Sequence, residues 1–115
     1  MNIKPIRNDE DLALTYAGDE DGLKKFWEQP KYSDSRAPLE SWHDEVLKAI
    51  WTSPLAVKEQ YGSASICANR VVFNIGGNKY RLVVEMQYRA NIAWVKFIGT
   101  HEQYDKIDVG SINEY

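Results

Sequence analysis

The chain is short and acidic: its 115 residues carry 14 Lys and Arg against 17 Asp and Glu, a net charge of −3 at pH 7, with one cysteine. This length suits one domain with one core, and a single thiol excludes an intramolecular disulfide and a cysteine-based metal cluster. No apolar stretch is long enough to cross a membrane and residues 1–15 lack the hydrophobic segment of a secretory signal, so we expect a cytoplasmic protein.

The N-terminal residues 1–22 allow two interpretations. The stretch from Leu12 to Tyr16 could supply the first strand of a sheet. Alternatively, residues 1–22 are an extension whose acidic run Asp19-Glu20-Asp21 lies against a basic face or in a solvated loop. We therefore divide the chain into residues 1–22, one domain over residues 23–108, and a C-terminal tail over residues 109–115.

Three helices are predicted in the first half of the chain. Asp19 or Asp21 can cap the first, the second opens at Ser35 to Pro38, and the third opens at Ser53-Pro54 and ends at Gly62. Each helix carries apolar residues three and four positions apart, which we assign to the core. These residues are Leu23, Phe26 and Trp27 in the first helix, Leu39, Trp42, Val46, Ala49 and Ile50 in the second, and Val57 and Tyr61 in the third.

Three strands are predicted in the second half, joined as an antiparallel meander. The first covers Val71 to Ile75 and ends at Gly76-Gly77, which suits a short hairpin connection. From Lys79 to Tyr88 apolar and charged residues alternate, which is typical of a strand with one face on the core and the other in water. The third strand covers Ile92 to Ile98 and follows a turn at Arg89 to Asn91.

Side chains suited to catalysis gather where the third strand ends. Thr100 can cap a short helix or turn that fixes His101 and Tyr104 on one surface. Arg81 and Lys96 occupy polar positions in otherwise apolar strands and can share one sheet face near this point. Taken singly, each basic residue has an ordinary explanation, because Lys and Arg on the wet face of a strand usually serve solubility.

The remaining reactive side chains are assigned ordinary positions. Cys67 lies between two small or apolar neighbours, so we expect a buried and inert thiol. His43 stands beside Asp44 and Glu45 on the outer face of the second helix, where we expect it to be solvated. With two histidines and no cysteine pair, the sequence gives no support for a zinc site.

Two motifs carry a resemblance to a known family: RVVFNIGGNKYRLVV at residues 70–84 and FIGTHEQYDKID at residues 97–108. Together with LKKFWE at residues 23–28 and LESWHDEVLKAIWTSP at residues 39–54, they resemble the HigB-type toxins of type II toxin-antitoxin systems, within the RelE-like mRNA interferases. The resemblance implies an α+β fold, with small helices packed on a twisted antiparallel β-sheet. It also implies cleavage of messenger RNA in the ribosomal A site and silencing by a cognate HigA-like antitoxin.

The resemblance also implies a metal-free reaction that leaves a 2',3'-cyclic phosphate, so we expect no cofactor. In such a reaction the ribose 2'-hydroxyl attacks the phosphate, and the protein must move protons and stabilise the phosphorane. His101 is the acid or base candidate, because an unperturbed imidazole titrates near neutral pH, and Tyr104 would orient the phosphate or share the proton transfer. Arg81 would bind the phosphorane through its planar fork, with Lys96 as a second charge.

The sequence also offers candidates for RNA binding and an uneven distribution of charge. Lys79, Arg70 and Asn74 are the candidates for holding the RNA backbone or base edges. Residues 66–106 carry six Lys and Arg against three Asp and Glu, net +3, whereas residues 1–65 carry eight against twelve, net −4.

An alternative function remains open. The acidic total and the additional residues before position 23 favour a non-catalytic or autoinhibited HigB-like protein that contacts antitoxin or ribosome without cleaving RNA. The sequence leaves open a homo-oligomer or a hetero-oligomer with the antitoxin.

Overall fold

The computed structural model describes residues 15–17, 20–90 and 92–113, with side chains described from Leu23 onward. Within these ranges the helical elements are α1 (Glu20–Trp27), a 3₁₀ segment (Pro30–Ser35), α2 (Arg36–Lys48), α3 (Pro54–Gln60) and α4 (His101–Tyr104). The strands are β1 (Thr15–Ala17), β2 (Ser65–Cys67), β3 (Arg70–Ile75), β4 (Tyr80–Gln87) and β5 (Ile92–Thr100). None of the described helices has the length and apolar character needed to cross a membrane.

The strands form one sheet in the order β1-β5-β4-β3-β2. The pairs β2–β3, β3–β4 and β4–β5 are all antiparallel, so the predicted meander and the predicted α+β fold are confirmed. Strand β1 runs parallel to β5 and pairs Thr15–Ala17 with Ile92–Trp94. Leu12, Leu14 and the proposed cap Asp19 lie outside the described residues, so the division of the chain at residue 22 stays a prediction.

The connection between β3 and β4 depends on two glycines. Gly76 and Gly77 have φ angles of 63° and 68°, in the left-handed region that glycine adopts without a steric cost. The turn closes with a hydrogen bond from the Lys79 N–H to the Gly76 carbonyl, at 3.4 Å. As predicted, these glycines make a hairpin, and they place Asn78 and Lys79 at one end of the sheet.

The helices cover the inner face of the sheet. The predicted stripe residues Leu39, Trp42, Val46 and Val57 are all buried against it, and Ser53 caps α3 by accepting a hydrogen bond from the Ala56 N–H at 3.3 Å. Helix α3 ends at Gln60 with Tyr61 as its C-cap, so Gly62 follows as the predicted stop. One detail of the prediction is wrong: Ile50 is 59% exposed.

Ile50 is exposed because α2 ends before it. The helix stops at Lys48, and Ala49 has an extended backbone with a ψ angle of 147°. Ile50 therefore no longer follows the helical stripe, and Trp51 enters the core in its place with 2% exposure.

The alternation in β4 had predicted that the outer face of the sheet is exposed to water. Part of this face is instead buried. Val72, Val83 and Phe97 form a second buried cluster on this face. It is covered by Tyr104 and by the following segment, through Ile107, Val109 and Ile112. Periodicity within one strand could not reveal this cover, because the covering segment comes from a distant part of the chain.

Arg70 holds this C-terminal segment in place. Its guanidinium Nη1 donates hydrogen bonds to the carbonyls of Val109, at 2.9 Å, and Ile112, at 2.5 Å. Its Nη2 lies 3.3 Å from Glu85 Oε1 on the neighbouring strand β4, and the Arg70 side chain is 10% exposed. Residues 109–112, predicted as a tail, are thus packed and hydrogen-bonded to the sheet.

Cys67 contradicts the prediction of a buried thiol. It is exposed, as are Ser65 and Ile66. The physical reason is position: β2 is an edge strand paired only with β3, so small or apolar sequence neighbours do not make it a core strand.

We expect Arg70→Met to lower the free energy of unfolding by roughly 2–4 kcal/mol, because it leaves a carboxylate and two carbonyls without their donor. Arg36→Met is the matched control, since Arg36 pairs with Glu40 in a solvent-exposed contact at 3.3 Å and should change stability by less than about 1 kcal/mol. Urea unfolding of both variants measures the difference. Equal losses would show that the Arg70 contacts contribute nothing beyond a surface pair.

Candidate active site

Helix α4 is attached to the end of β5 by a capping box. Thr100 Oγ1 accepts a hydrogen bond from the Gln103 N–H at 3.2 Å, and Gln103 Oε1 accepts one from the Thr100 N–H at 2.9 Å. The preceding residue is glycine: a Cβ atom on Gly99 would lie 2.6 Å from Phe97 Cζ and 2.7 Å from Gln103 Oε1, so both side chains would have to move. The predicted Thr100 cap is confirmed, and it fixes the start of α4, including His101, relative to the sheet.

A shallow hollow of about 390 Å³ lies beside α4, lined by Asn78, Lys79, Thr100, His101 and Glu102. The His101 N–H donates to the Lys79 carbonyl at 3.1 Å, so the hairpin and the helix are joined at the base of the site. The His101 side chain is 54% exposed, and its Nε2 lies 3.8 Å from Asp105 Oδ2. An exposed imidazole at this position can contact a bound molecule and exchange protons with it.

Lys79 and Tyr80 both contact Asp34, which belongs to the 3₁₀ segment. The Lys79 ammonium and the Tyr80 hydroxyl each donate to one oxygen of the Asp34 carboxylate. Hydrogen bonds from Lys79 and then Tyr80 lower the pKa of Asp34. Burial, followed by the contact with Asp34, raises the pKa of Tyr80 to about 12. At neutral pH Asp34 is therefore an ionised acceptor and Tyr80 a protonated donor.

Arg81 contacts the hairpin that contributes Asn78 and Lys79 to the same hollow. Its Nη1 donates to the Asn78 carbonyl at 3.0 Å and to the Tyr80 carbonyl at 3.2 Å. In the sheet register Arg81 stands opposite Gly99, which presents no side chain next to the guanidinium. Lys79, Arg81 and His101 therefore lie at one end of the sheet.

Other predicted site residues lie elsewhere or are engaged. The Tyr104 ring packs on the outer cluster of Val72, Val83 and Phe97. Lys96 occupies an irregularity between β4 and β5, where its ammonium donates to Asn113 Oδ1 at 3.1 Å and lies 5.4 Å from the Trp94 ring centroid.

Asn74 and Arg70 are also engaged with protein atoms. Asn74 stands opposite Arg81 in the register, and its amide donates to the Ser63 carbonyl at 3.4 Å. Arg70 is enclosed by Glu85 and the C-terminal segment. The structure thus brings together only part of the set of site residues that the sequence predicted.

Two residues near the site were not among the sequence candidates. Asp34 precedes its partner Lys79 by 45 positions, and Tyr32 precedes its partner Gln103 by 71, with Gln103 Nε2 donating to the Tyr32 hydroxyl at 3.1 Å. No short motif could have found either pair. The only sequence signal was the presence of both residues in a polar stretch after a proline.

The described residues hold no group of three or more His, Cys, Asp and Glu side chains that could bind a metal ion. His43 lies apart from His101 and lines a separate cavity of about 680 Å³ together with Trp27, Arg36 and Glu40. It is half-buried rather than fully solvated, because α1 packs beside α2 at this point.

The family comparison adds a second line of support. A family model described as HigB_toxin, RelE-like toxic component of a toxin-antitoxin system, matches residues 35–107, more than half of the chain. The match runs from the residue before α2 to the segment after α4, and so includes Lys79, Arg81 and His101. No curated protein matches the chain.

The Asp34 contact predicts a pH-dependent stability. Because the pKa of Asp34 in the folded protein lies below its ordinary value of 3.8, the ionised carboxylate contributes stability that is fully present above that value and is lost as pH falls through the folded-state pKa. Wild type should therefore be more stable than Asp34→Asn at neutral pH, and the difference should shrink as pH falls below about 3.8.

Thermal unfolding of both proteins across an acid titration measures this difference. Asp44→Asn, on an exposed part of α2, controls for the general effect of removing one negative charge. If the difference in stability between wild type and Asp34→Asn stays constant down to the lowest pH, the ionised Asp34 carboxylate does not stabilise the fold.

Proposed function

The chain belongs to the HigB-type, RelE-like toxins of toxin-antitoxin systems, and from this premise we propose that it is a ribosome-dependent endoribonuclease that cleaves messenger RNA. Membership in the family implies an antitoxin as a partner. The observation that carries the proposal is the end of the sheet, where the exposed His101 and Lys79 line one hollow and Arg81 donates to the carbonyl of Asn78, another residue of its lining. Action on translating ribosomes would place the protein in the cytoplasm.

The proposed chemistry uses the RNA's own nucleophile. The ribose 2'-hydroxyl loses its proton and attacks the adjacent phosphorus, the bond from phosphorus to the 5'-oxygen breaks, and the departing oxygen gains a proton. The products are a 2',3'-cyclic phosphate and a 5'-hydroxyl. His101 would transfer one of these protons, and the Asp105 carboxylate lies 3.8 Å from its Nε2.

Basic side chains would stabilise the negative charge that builds up on the phosphorane. Arg81 is proposed for this role, because its guanidinium is oriented by the Asn78 and Tyr80 carbonyls and presents paired donors. Lys79 is proposed to hold the RNA backbone, with Asp34 fixing its position. Donors oriented before the substrate arrives need little reorganisation during the reaction.

The remaining candidates receive supporting roles in this proposal. Tyr104 would act by anchoring α4 through its ring on the outer cluster, which positions His101. Lys96 would add positive potential from the outer face, and Asn74 would support the strand beside Arg81. Arg70 would serve the fold, because its guanidinium is already hydrogen-bonded on both sides.

A non-catalytic or autoinhibited protein is the second candidate. The observation that favours it is the contact between Lys79 and Asp34, which neutralises one cation of the hollow within a chain of net charge −3. Such a protein would bind its antitoxin or the ribosome and leave RNA intact. The two candidates differ in one measurable result, the cleavage of a translated message.

We expect His101→Ala to reduce cleavage of messenger RNA on purified translating ribosomes by roughly 100-fold to 10,000-fold, because a general acid or base is lost. His43→Ala is the matched control, since the other histidine lines a separate cavity, and it should cleave at the parental rate. Primer extension locates the cuts, and melting temperatures verify the fold. Parental activity in His101→Ala would remove His101 from the mechanism, whereas an inactive parent would favour the non-catalytic candidate.

Arg81→Lys tests the guanidinium separately from its charge. Lysine keeps the positive charge but loses the paired donors, so we expect a rate loss on the order of tenfold to a thousandfold in the same ribosome assay. Arg89→Lys, at an exposed turn after β4, is the matched control and should cleave normally. Equal and undiminished cleavage by both variants would show that Arg81 does not contact the reacting phosphate.

A further inference from the structure

A second depression lies on the other side of α4. It is a groove of about 520 Å³ between the 3₁₀ segment and the end of β5, and its lining includes Phe26, Tyr32, Lys31, Gln103 and Lys106. Gln103 lines this groove, whereas His101 and Glu102 of the same helix line the hollow. Helix α4 therefore separates two adjoining depressions, and a flexible chain that crosses it can reach both.

The Tyr32 ring is held in a fixed orientation at the groove. Phe26 stacks on it with a centroid distance of 4.4 Å and an interplanar angle of 6°, and Tyr80 meets it edge-on at 6.2 Å. Its hydroxyl accepts a hydrogen bond from Gln103 Nε2 at 3.1 Å. The ring is only half-buried, so the groove contains a pre-oriented aromatic surface that solvent can reach.

The charge of the groove is positive. The described residues that line it include two lysines, both exposed, and no carboxylate. The Lys31 ammonium lies 5.2 Å from the Tyr32 ring centroid, where a flexible side chain can move aside for a planar group. By contrast, the hollow beside His101 contains Glu102 and adjoins the contact between Lys79 and Asp34.

An aromatic ring flanked by cations matches the chemistry of single-stranded RNA. Bases stack on aromatic side chains, and phosphates pair with lysines. We propose that this groove binds the nucleotide next to the cleaved phosphate, with its base on Tyr32 and a flanking phosphate between Lys31 and Lys106. The inference rests on the proposed ribonuclease function, which names RNA as the substrate. Stacking accepts any base, so the groove would position the strand without selecting its sequence.

The test measures binding apart from cleavage. The probe is a short single-stranded 2'-O-methyl RNA of mixed sequence with one 2-aminopurine, which cannot be cut because the nucleophile is blocked. Fluorescence anisotropy gives its affinity for the full chain, and quenching of 2-aminopurine reports stacking. We expect Tyr32→Leu to weaken binding by roughly fivefold to a hundredfold and to remove the quenching, because one base loses its stacking partner.

Two further sets of variants separate stacking from a purely structural role. Tyr32→Phe keeps the ring but loses the hydrogen bond from Gln103, so it should bind and quench like the parent. Lys31→Ala and Lys106→Ala should each lower the slope of log affinity against log salt by about 0.7, the value for one phosphate contact in a single strand. Lys48→Ala, an exposed lysine of α2 that lines neither depression, should leave the slope unchanged.

The outcomes distinguish this inference from the proposed function. If Tyr32→Leu does not fold, the two lysine variants decide the question. The groove is not a nucleotide site if Lys31→Ala and Lys106→Ala keep the parental affinity and salt dependence. Equal losses of affinity in Tyr32→Leu and Tyr32→Phe would also overturn the inference. Either result would stand even if the protein cleaves RNA on ribosomes. Specific loss of binding in these variants would uphold it even if the parent cleaves no message.

Discussion

At Gly99 the Phe97 ring and the Gln103 amide approach so closely that they leave no room for a Cβ atom. Because Gly99 has no side chain, β5 passes directly into α4, and the capping box forms at this junction. Helix α4 then forms a wall of two depressions, the hollow beside His101 and the groove beside Tyr32. A Cβ atom at this position would push aside the Phe97 ring and the Gln103 amide, and Gln103 is the residue that closes the capping box at the start of α4.

Several basic residues of this acidic chain serve the fold. Arg70 binds the C-terminal segment, and Lys58 donates to the carbonyls of Gly62 and Ala64 at 2.9 and 2.7 Å. Lys79 is paired with Asp34 but remains exposed at the hollow. Among the described residues, Arg81, Lys31 and Lys106 are cations that are left for an anionic partner. For the proposed function, their location around α4 matters more than the net charge of the whole chain.

Local patterns predicted the local parts of the structure. Alternation in β4, the glycine pair at Gly76-Gly77 and the Thr100 cap were all correct, because each depends on residues a few positions apart. Two of the wrong predictions share a long-range cause. Cys67 is exposed because of where its strand lies in the sheet, and the outer face is covered by a segment that no period within β4 encodes.

The candidate site likewise combines features that depend on local sequence with features that depend on long-range packing. His101, Arg81 and Lys79 could be proposed from sequence, since the meander brings neighbouring strand ends together. The contribution of the 3₁₀ segment could not, because Asp34 and Tyr32 reach α4 and the hairpin only through the packing of the helices on the sheet. The contacts of Tyr104 and Lys96 were equally hidden, since they are made with the outer cluster and the C-terminal segment.

Strand β4 is the most enclosed strand of the sheet, with β3 and β5 on its two sides and Leu82, Val83 and Val84 fully buried. Local opening of a folded protein begins where contacts are few, as in the edge strand β2, and reaches such a central strand last. Arg81 belongs to β4 and Lys79 directly precedes its first residue, so the backbone of both is attached to the central strand of the sheet. Fraying at the sheet's β2 edge would therefore leave the spacing of these two cations undisturbed, and amide hydrogens in β4 would exchange with solvent only on near-complete unfolding.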